Sequence, residues 1–329
     1  MGDQPFDADP RGIFRADRWG SPLSLDDVPT RRRLECSGKK ARGRRLLAER
    51  AEVLAEAQER LWAHQAAAGE QTRRVVMDRL VHRAPRGEAT EGERASRLLT
   101  AEVTGALDEV PPGPRVLLVL QGMDAAGKGG TVKHVVGSMD PLGVSVAGFG
   151  RPTEAERREH FLRRIIRRLP APGHVGVFDR SHYEDVLVPA VTGTLSPEAL
   201  AERTEVLRLF EAELVRRGVA VVKVFLHLSH QEQLERLLSR LDRPEKHWKY
   251  DPSDADARAD FDLFRTVYSG LLEATDADWA PWHVVPADRK WYSRLAVQEL
   301  LIATLEDLEL GWPRAGFDIE TERQRLLSS

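Results

Sequence analysis

The run RVLLVLQ-GMDAAGKGG-TVKHVV sets Gly122, four residues, then Gly127-Lys128 between an apolar stretch and a helical one. Glycines at such points let backbone N–H groups converge on phosphate oxygens, a helix N-terminus adds positive potential, and Lys128 supplies a mobile full charge. The loop departs from the usual pattern at Gly129, where Ser or Thr would hold a cation, and Gly130 follows it. Asp124 is the substitute inside the loop. A hard carboxylate oxygen suits Mg²⁺, with Mn²⁺ as the alternative, and an anion among phosphate donors needs a cation to offset it. A plain tight turn with an incidental lysine is the competing reading, and the strand-loop-helix context argues against it.

A second cluster lies in GHVGVFDRSHYEDVLV, where an apolar run ends in Asp179-Arg180 and continues to Glu184-Asp185. Strand C-termini of open parallel sheets line the ligand crevice, so these groups are expected to face Lys128. Asp185 and Asp124 would then jointly hold one or two magnesium ions, and Arg180 would grip a phosphate bidentately. The alternative is a structural Asp179–Arg180 ion pair with Glu184-Asp185 capping a helix.

Two basic regions accompany these motifs. Between Arg151 and Arg168 stand seven arginines against three glutamates, around an apolar stripe of Phe161, Leu162, Ile165, Ile166 and Leu169. A solvated face and an anion-binding face both fit such a run. Arg236, Arg240, Arg243, Lys246 and Lys249 combine helical spacing with a proline break and Trp248 and Tyr250, as expected of a cover that closes over phosphates near residues 236–258. No histidine pair has metal-ligand spacing, and His160, His174 and His182 read as scaffold. Cys36 has basic neighbours but no general base, which leaves a free thiol without catalytic work.

The elements that must position these groups can be read from pattern. Residues 1–43, with four prolines and the basic runs Arg31-Arg32-Arg33 and Lys39-Lys40, read as a polar arm on the surface or partly disordered. Residues 44–114 form a helical extension, opening with an amphipathic helix from Arg44 to Ala68 that carries Leu47, Leu54 and Leu61, and closing at Pro111-Pro112-Gly113-Pro114. Residues 115–310 alternate short β-branched runs with long helical stretches, the signature of an α/β fold with a parallel five-stranded sheet; residues 311–329 are a tail. The spacing predicts strands at 115–121, 144–147, 174–179, 219–226 and 282–285. It predicts helices at 128–138, 154–169, 197–217, 231–241, 254–274 and 289–308.

Composition bounds the function. The 49 basic and 52 acidic residues give a net charge of −3, which excludes a wholesale polyanion wrapper while leaving room for local basic patches. One cysteine cannot form an internal disulfide, no apolar run is long enough for a membrane span, and the N-terminus lacks a secretion-signal pattern. A soluble cytoplasmic protein is expected, with no membrane and no nucleic acid as partner.

Five segments in order, GMDAAGKGGTVKHV, FLRR, FDRSHYEDVLV, RPEKHWKYDPSD and APWHVVPADRKWYSRLAV, resemble the family-2 polyphosphate kinases, most closely the subgroup with HYEDVLV. The resemblance spans about residues 115–308. It implies a thymidylate-kinase-like P-loop fold in three layers with a helical lid, and reversible magnesium-dependent phosphoryl transfer between inorganic polyphosphate and nucleotides (ADP to ATP, AMP to ADP), in a homodimer or homotetramer. Carried over by position, Lys128 and Arg180 contact transferring phosphates, and Asp124 and Asp185 hold the metal. Asp179 and Glu184 shape the acceptor side; Arg240, Arg243, Lys246 and Lys249 serve as lid and polyphosphate contacts. Three departures stand out: Arg163 where relatives often have Trp, Asp179 where the HYEDVLV subgroup often has Asn, and the long insert before Arg115. An acidic Asp179 leads to the expectation that ADP is preferred to AMP. An ATP-dependent nucleotide kinase and a non-catalytic polyphosphate or nucleic-acid binder are the rivals. The missing loop Ser/Thr and the surplus of arginines argue against the first, and intact Lys128, Asp124, Arg180 and Asp185 against the second.

Overall fold

The computed structural model describes residues 4–36, 39–85 and 98–329. Each apolar run after Pro114 becomes a strand: β1 (Arg115–Gln121), β2 (Val144–Gly148), β3 (Val175–Asp179), β4 (Val219–His227) and β5 (Trp282–Pro286). They form one sheet in the order β2-β3-β1-β4-β5 with every pairing parallel. β1 is buried along its whole length. Helices cover both of its faces, which is why it reads as an unbroken apolar run and not as an alternating one.

Seven helices carry or flank the site: α1 (Lys40–Ala67), α2 (Lys128–His134), α3 (Glu184–Thr192), α4 (Pro197–Arg216), α5 (His230–Leu241), α6 (Phe261–Thr275) and α7 (Lys290–Glu306). On one face of the sheet Val116, Leu118 and Leu120 pack with Leu54 and Leu61 of α1 and with Leu295 and Leu301 of α7. On the other, Leu117 and Val119 pack with Leu187 of α3, Phe210 of α4 and Leu272 of α6. The result is the expected three-layer α/β arrangement. The leucine stripe of α1 is consumed within the chain's own core, with Leu47 partly buried beside it.

Three expectations need correction. Residues 4–36 are more than a surface arm: Asp7, Asp9, Asp17 and Asp26 are exposed, but Phe6, Ile13, Phe14, Leu34 and Cys36 are buried in the first core, and Ala16, Leu23, Leu25 and Val28 in the second. Short turns, a five-residue α-helix, Pro10–Phe14, and a four-residue 3-10 helix, Ala16–Trp19, carry them, so no sustained helical or strand period exists to reveal the apolar side. The arginine-rich stretch is not one helix but two short ones, Glu154–Arg157 and Arg163–Ile166. Between them the His160 ring accepts the Leu162 amide (3.3 Å) and stacks on Phe161, a local turn that displaces the helical ladder. The predicted helix over 254–274 likewise divides at Asp260 into Ser253–Ala259 and α6. The break leaves the first piece near the cover and lets Phe261, Tyr268 and Leu272 enter the core.

Candidate phosphate site

β3, β1 and β4 lie side by side, so the loops leaving their C-terminal ends gather on one rim of the sheet. The β1 loop passes close to β4: a Cβ on Gly122 would stand 2.7 Å from the Leu226 carbonyl oxygen, and its φ of +146° lies outside the range that side chains accept. Gly127, at φ +118°, turns the chain into α2. Lys128 is more enclosed than its charge led one to expect, at 9% exposure, and its Nζ donates to the Gly122 carbonyl at 2.7 Å. Arg236 of α5 holds the same loop from outside. Its guanidinium donates to the carbonyls of Ala125 (3.0 Å), Ala126 (2.8 Å) and Ala287 (2.6 Å), while Nε pairs with Glu232 (2.9 Å).

At the end of β3 the backbone of Arg180 takes φ +64°, unusual for a residue with a side chain, and this turns the guanidinium toward the β1 loop. Its Nη2 lies 2.8 Å from Asp124 Oδ1. Burial would lower the Arg180 pKa, but the carboxylates of Glu184 and Asp124 hold it above its ordinary value. Glu184 is enclosed on the same side, and burial raises its carboxyl pKa against the opposing charges of Arg180 and Lys128.

Asp185 does not face Lys128. Its Oδ2 meets Arg164 at 2.9 Å, its backbone carbonyl accepts from Arg203 (3.0 Å), and it lines a separate cavity with His160 and Phe161. Burial raises its pKa first, with Arg164 opposing. Glu184 and Asp185 are adjacent on the first turn of α3, and successive helical residues diverge by about 100°, so only Glu184 points to the crevice. His182 is scaffold, as expected, and Tyr183 beside it serves the same end. Both bond the fully buried Glu211 of α4, at 3.0 and 2.8 Å, which is ion-paired at 2.7 Å with the equally buried Lys223 of β4.

The groups converge on a cavity of about 810 Å³ lined by ten lysines and arginines against four aspartates, Asp124, Asp179, Asp251 and Asp254. Arg240, Arg243, Lys246 and Lys249 all reach it, so the expected cover forms one wall. Arg240 is tied down, to Asp254 at 3.1 Å and to the Lys249 carbonyl at 3.0 Å. Lys133, Lys290, Arg294 and Asp254 also line the cavity, and sequence reasoning missed them. The last three stand in the segments RPEKHWKYDPSD and DRKWYSRLAV, and Lys133 is five residues beyond Lys128 on α2. A second, smaller cavity of about 110 Å³ lies beside the first, lined by Glu184, Leu187, Phe264 and Tyr268. Asp124 and Arg180 border both.

The carboxylates fit a divalent cation. Asp124 offers Oδ2 while Oδ1 is held by Arg180, and the Asp179 side chain makes no hydrogen bond or ion pair among the described residues. Mg²⁺ is commonly held by one or two carboxylates, with substrate phosphates and water completing the shell. Among the described residues there is no group of three His, Cys, Asp or Glu side chains that could hold a metal ion.

A family model described as polyphosphate kinase 2 matches residues 88–310. The chain is 41% identical over 200 residues to the AMP/ADP-polyphosphate phosphotransferase of Meiothermus ruber, covering 61% of this chain and 75% of that protein. It is 39% identical over 210 residues to the ADP-polyphosphate phosphotransferase of Rhodopseudomonas palustris, covering 60% and 73%. Among solved structures it is similar to polyphosphate kinase 2 from Arthrobacter aurescens TC1, with 40% identity and a TM-score of 0.81 over 100% of both chains.

Proposed function

This chain belongs to the polyphosphate kinase 2 family, with its P-loop kinase fold, and we propose that it catalyses reversible phosphoryl transfer between inorganic polyphosphate and adenine nucleotides, ADP in preference to AMP. The observation that carries this reading is the pair of cavities meeting at Asp124 and Arg180. The larger, with its surplus of cations, suits a polyanionic donor. The smaller, walled by Leu187, Phe264 and Tyr268, suits an acceptor with an apolar, flat part.

In the forward direction a terminal oxygen of the nucleotide attacks the last phosphorus of polyphosphate. A new P–O bond forms, the bridging P–O bond breaks, and the donor leaves one phosphate shorter. The attacking oxygen is already anionic, so no general base is needed. The transition state is loose, and the protein's contribution is alignment and charge. Lys128 turns its ammonium from the Gly122 carbonyl to the transferring phosphate. Arg180 stands at the junction and binds oxygens from either substrate. Glu184 orders the acceptor side, and Arg236 keeps the loop carbonyls from competing for the cations. Asp124 and Asp179 would hold magnesium, which neutralises phosphate charge when bound. A homodimer or homotetramer acting in the cytoplasm completes this reading; no described helix is long and apolar enough to cross a membrane.

The test is ATP formation by purified protein with Mg²⁺, polyphosphate and either ADP or AMP, comparing kcat/KM for the two acceptors in the wild type and Asp179→Asn. The expected result is an ADP preference that narrows in the variant, because an acidic Asp179 fixes the cation where a diphosphate reaches and a monophosphate falls short. A wild type favouring AMP removes Asp179 as selector; no transfer to any nucleotide removes the function.

A further inference from the structure

Apart from its two ends, Arg115 and Gln121, β1 is wholly apolar, and both ends are buried with the rest. Arg115 donates to backbone carbonyls, Gly113 at 3.1 Å and Pro170 at 2.7 Å among them. Gln121 bonds side chains instead. Its Nε2 donates to Ser181 Oγ (3.1 Å), and its Oε1 accepts from the Tyr268 hydroxyl (3.2 Å). Ser181 Oγ also accepts the Tyr183 amide (3.2 Å), inside the turn that leaves β3. One buried side chain thus joins three elements: the strand that opens the phosphate loop, the turn that carries Arg180 and Glu184, and α6, whose Tyr268 walls the smaller cavity.

Chemistry fixes the direction of each bond. Burial raises the Tyr268 pKa well above the usual phenol range, and the carboxylates of Glu184 and Asp124 raise it further, so the hydroxyl keeps its proton and donates. The Gln121 oxygen must therefore face Tyr268 and its NH₂ group Ser181; turning the amide over would set a donor against a donor. The same amide acts on Glu184, whose carboxyl burial pushes up and Arg180, Lys128 and then Gln121 pull down. An apolar residue would end the strand without any of these partners, and burying an amide is unfavourable unless its polar atoms are paired. Gln121 itself lines neither the larger nor the smaller cavity, so what it does for a substrate passes through Tyr268, Ser181 and Glu184.

We propose that Gln121 is a positioning residue for the acceptor: its amide locks Tyr268 of α6 and the turn bearing Glu184 at one spacing, and so sets how a nucleotide seats in the smaller cavity. This rests on the transfer reaction proposed above and names the side chain behind the acceptor wall. It also divides the substrates. The partners of Gln121 lie on the acceptor side, whereas the cations that line the larger cavity make no hydrogen bond to it, so seating of the donor is independent of the amide.

The experiment compares the full chain with Gln121→Met, which keeps the length of the side chain and removes its bonds, with Tyr268→Phe, and with the double variant. KM is measured separately for ADP and for polyphosphate. The expected result for Gln121→Met is an ADP KM raised about ten-fold, the effect of losing one well-placed hydrogen bond, with the polyphosphate KM unchanged. Tyr268→Phe should raise the ADP KM as well, and the double variant should be no worse than the more affected single one, because both changes break the same link. Equal shifts in both KM values, no shift in either, or effects that multiply in the double variant overturn the assignment. Melting checks the fold. Should Gln121→Met not fold, Ser181→Ala, which frees only the donor end of the amide, decides: a raised ADP KM beside an unchanged polyphosphate KM supports the role, and an unchanged ADP KM overturns it. Calorimetry of ADP binding without polyphosphate keeps the question apart from catalysis. Weaker ADP binding in the variants supports the role even where the wild type transfers nothing, an outcome that removes only the reaction proposed above; unchanged ADP binding overturns it.

Discussion

Lys128 donates to the Gly122 carbonyl within its own loop, so arrival of a phosphate exchanges one acceptor for a charged one. Lys128→Met keeps the length of the side chain and removes the charge. The expected outcome is a fall in kcat of about 10²–10³-fold with a small loss of thermal stability, measured by steady-state rates and by melting. The carboxylates divide differently from their order in the sequence. Asp124→Asn and Asp179→Asn should each raise the Mg²⁺ concentration needed for half-maximal rate. Asp185→Asn should leave the Mg²⁺ profile in place and cost about 1–3 kcal/mol of stability by weakening the pair with the buried Arg164. Titration of rate against Mg²⁺, with urea unfolding of the same variants, separates the two. The sequence reading put both carboxylates after β3 on the side of Lys128, and the structure pairs Asp185 with Arg164 instead. Glu184 and Asp185 are neighbours, and the helical phase that sends Asp185 to Arg164 is not visible before the start of α3 is known.

At the scale of elements, the parallel strands were legible to within a residue or two, because strands buried on both faces need continuous β-branched and apolar runs. The segment from Glu154 to Leu169 was not. Its arginines and leucines fit a helical period, and the turn at His160 depends on a ring nitrogen accepting a backbone amide, which no periodicity reports. Nor was the partner of the HYED segment visible: Glu211 on α4 and Lys223 on β4 lie far along the chain. That pair holds His182 and Tyr183, and through them the turn that aims Arg180 and Glu184. Lys223→Met should be strongly destabilising, about 3–5 kcal/mol, since it leaves a buried carboxylate without its cation. Adding Glu211→Gln should restore part of that loss. Denaturant titration of the single and double variants measures the coupling, and two additive losses would mean that the pair is not a unit.

Across the whole molecule, the arm is fastened to the sheet through two buried histidines. His227 on β4 lies 3.0 Å from the Val28 carbonyl; His283 on β5 bonds the Lys223 carbonyl and pairs by backbone with Arg15. Burial lowers both pKa values to about 4 from 6.5, so the folded chain keeps them neutral. Their contribution is fully present above pH 6.5. Between pH 6.5 and 4 the unfolded chain takes up protons that the folded chain refuses, and stability falls by up to about 3 kcal/mol for each histidine. Unfolding free energy measured from pH 7.5 to 4.5 should show this decline, and His227→Gln and His283→Gln should each flatten it. An unchanged slope in both would place the acid sensitivity elsewhere.

The bridge between Arg15 and His283 also orders events in time. The arm leaves the ribosome well before the strand it borders, β5, which begins only at Trp282. Until then Phe6, Ile13, Phe14 and Leu25 have no complete surface to settle on. These residues thus wait with apolar side chains exposed until β5 has been made. Contacts this far apart in sequence also form slowly, because the intervening chain must close first. For a nascent chain, the arm settles only after the strand it borders exists.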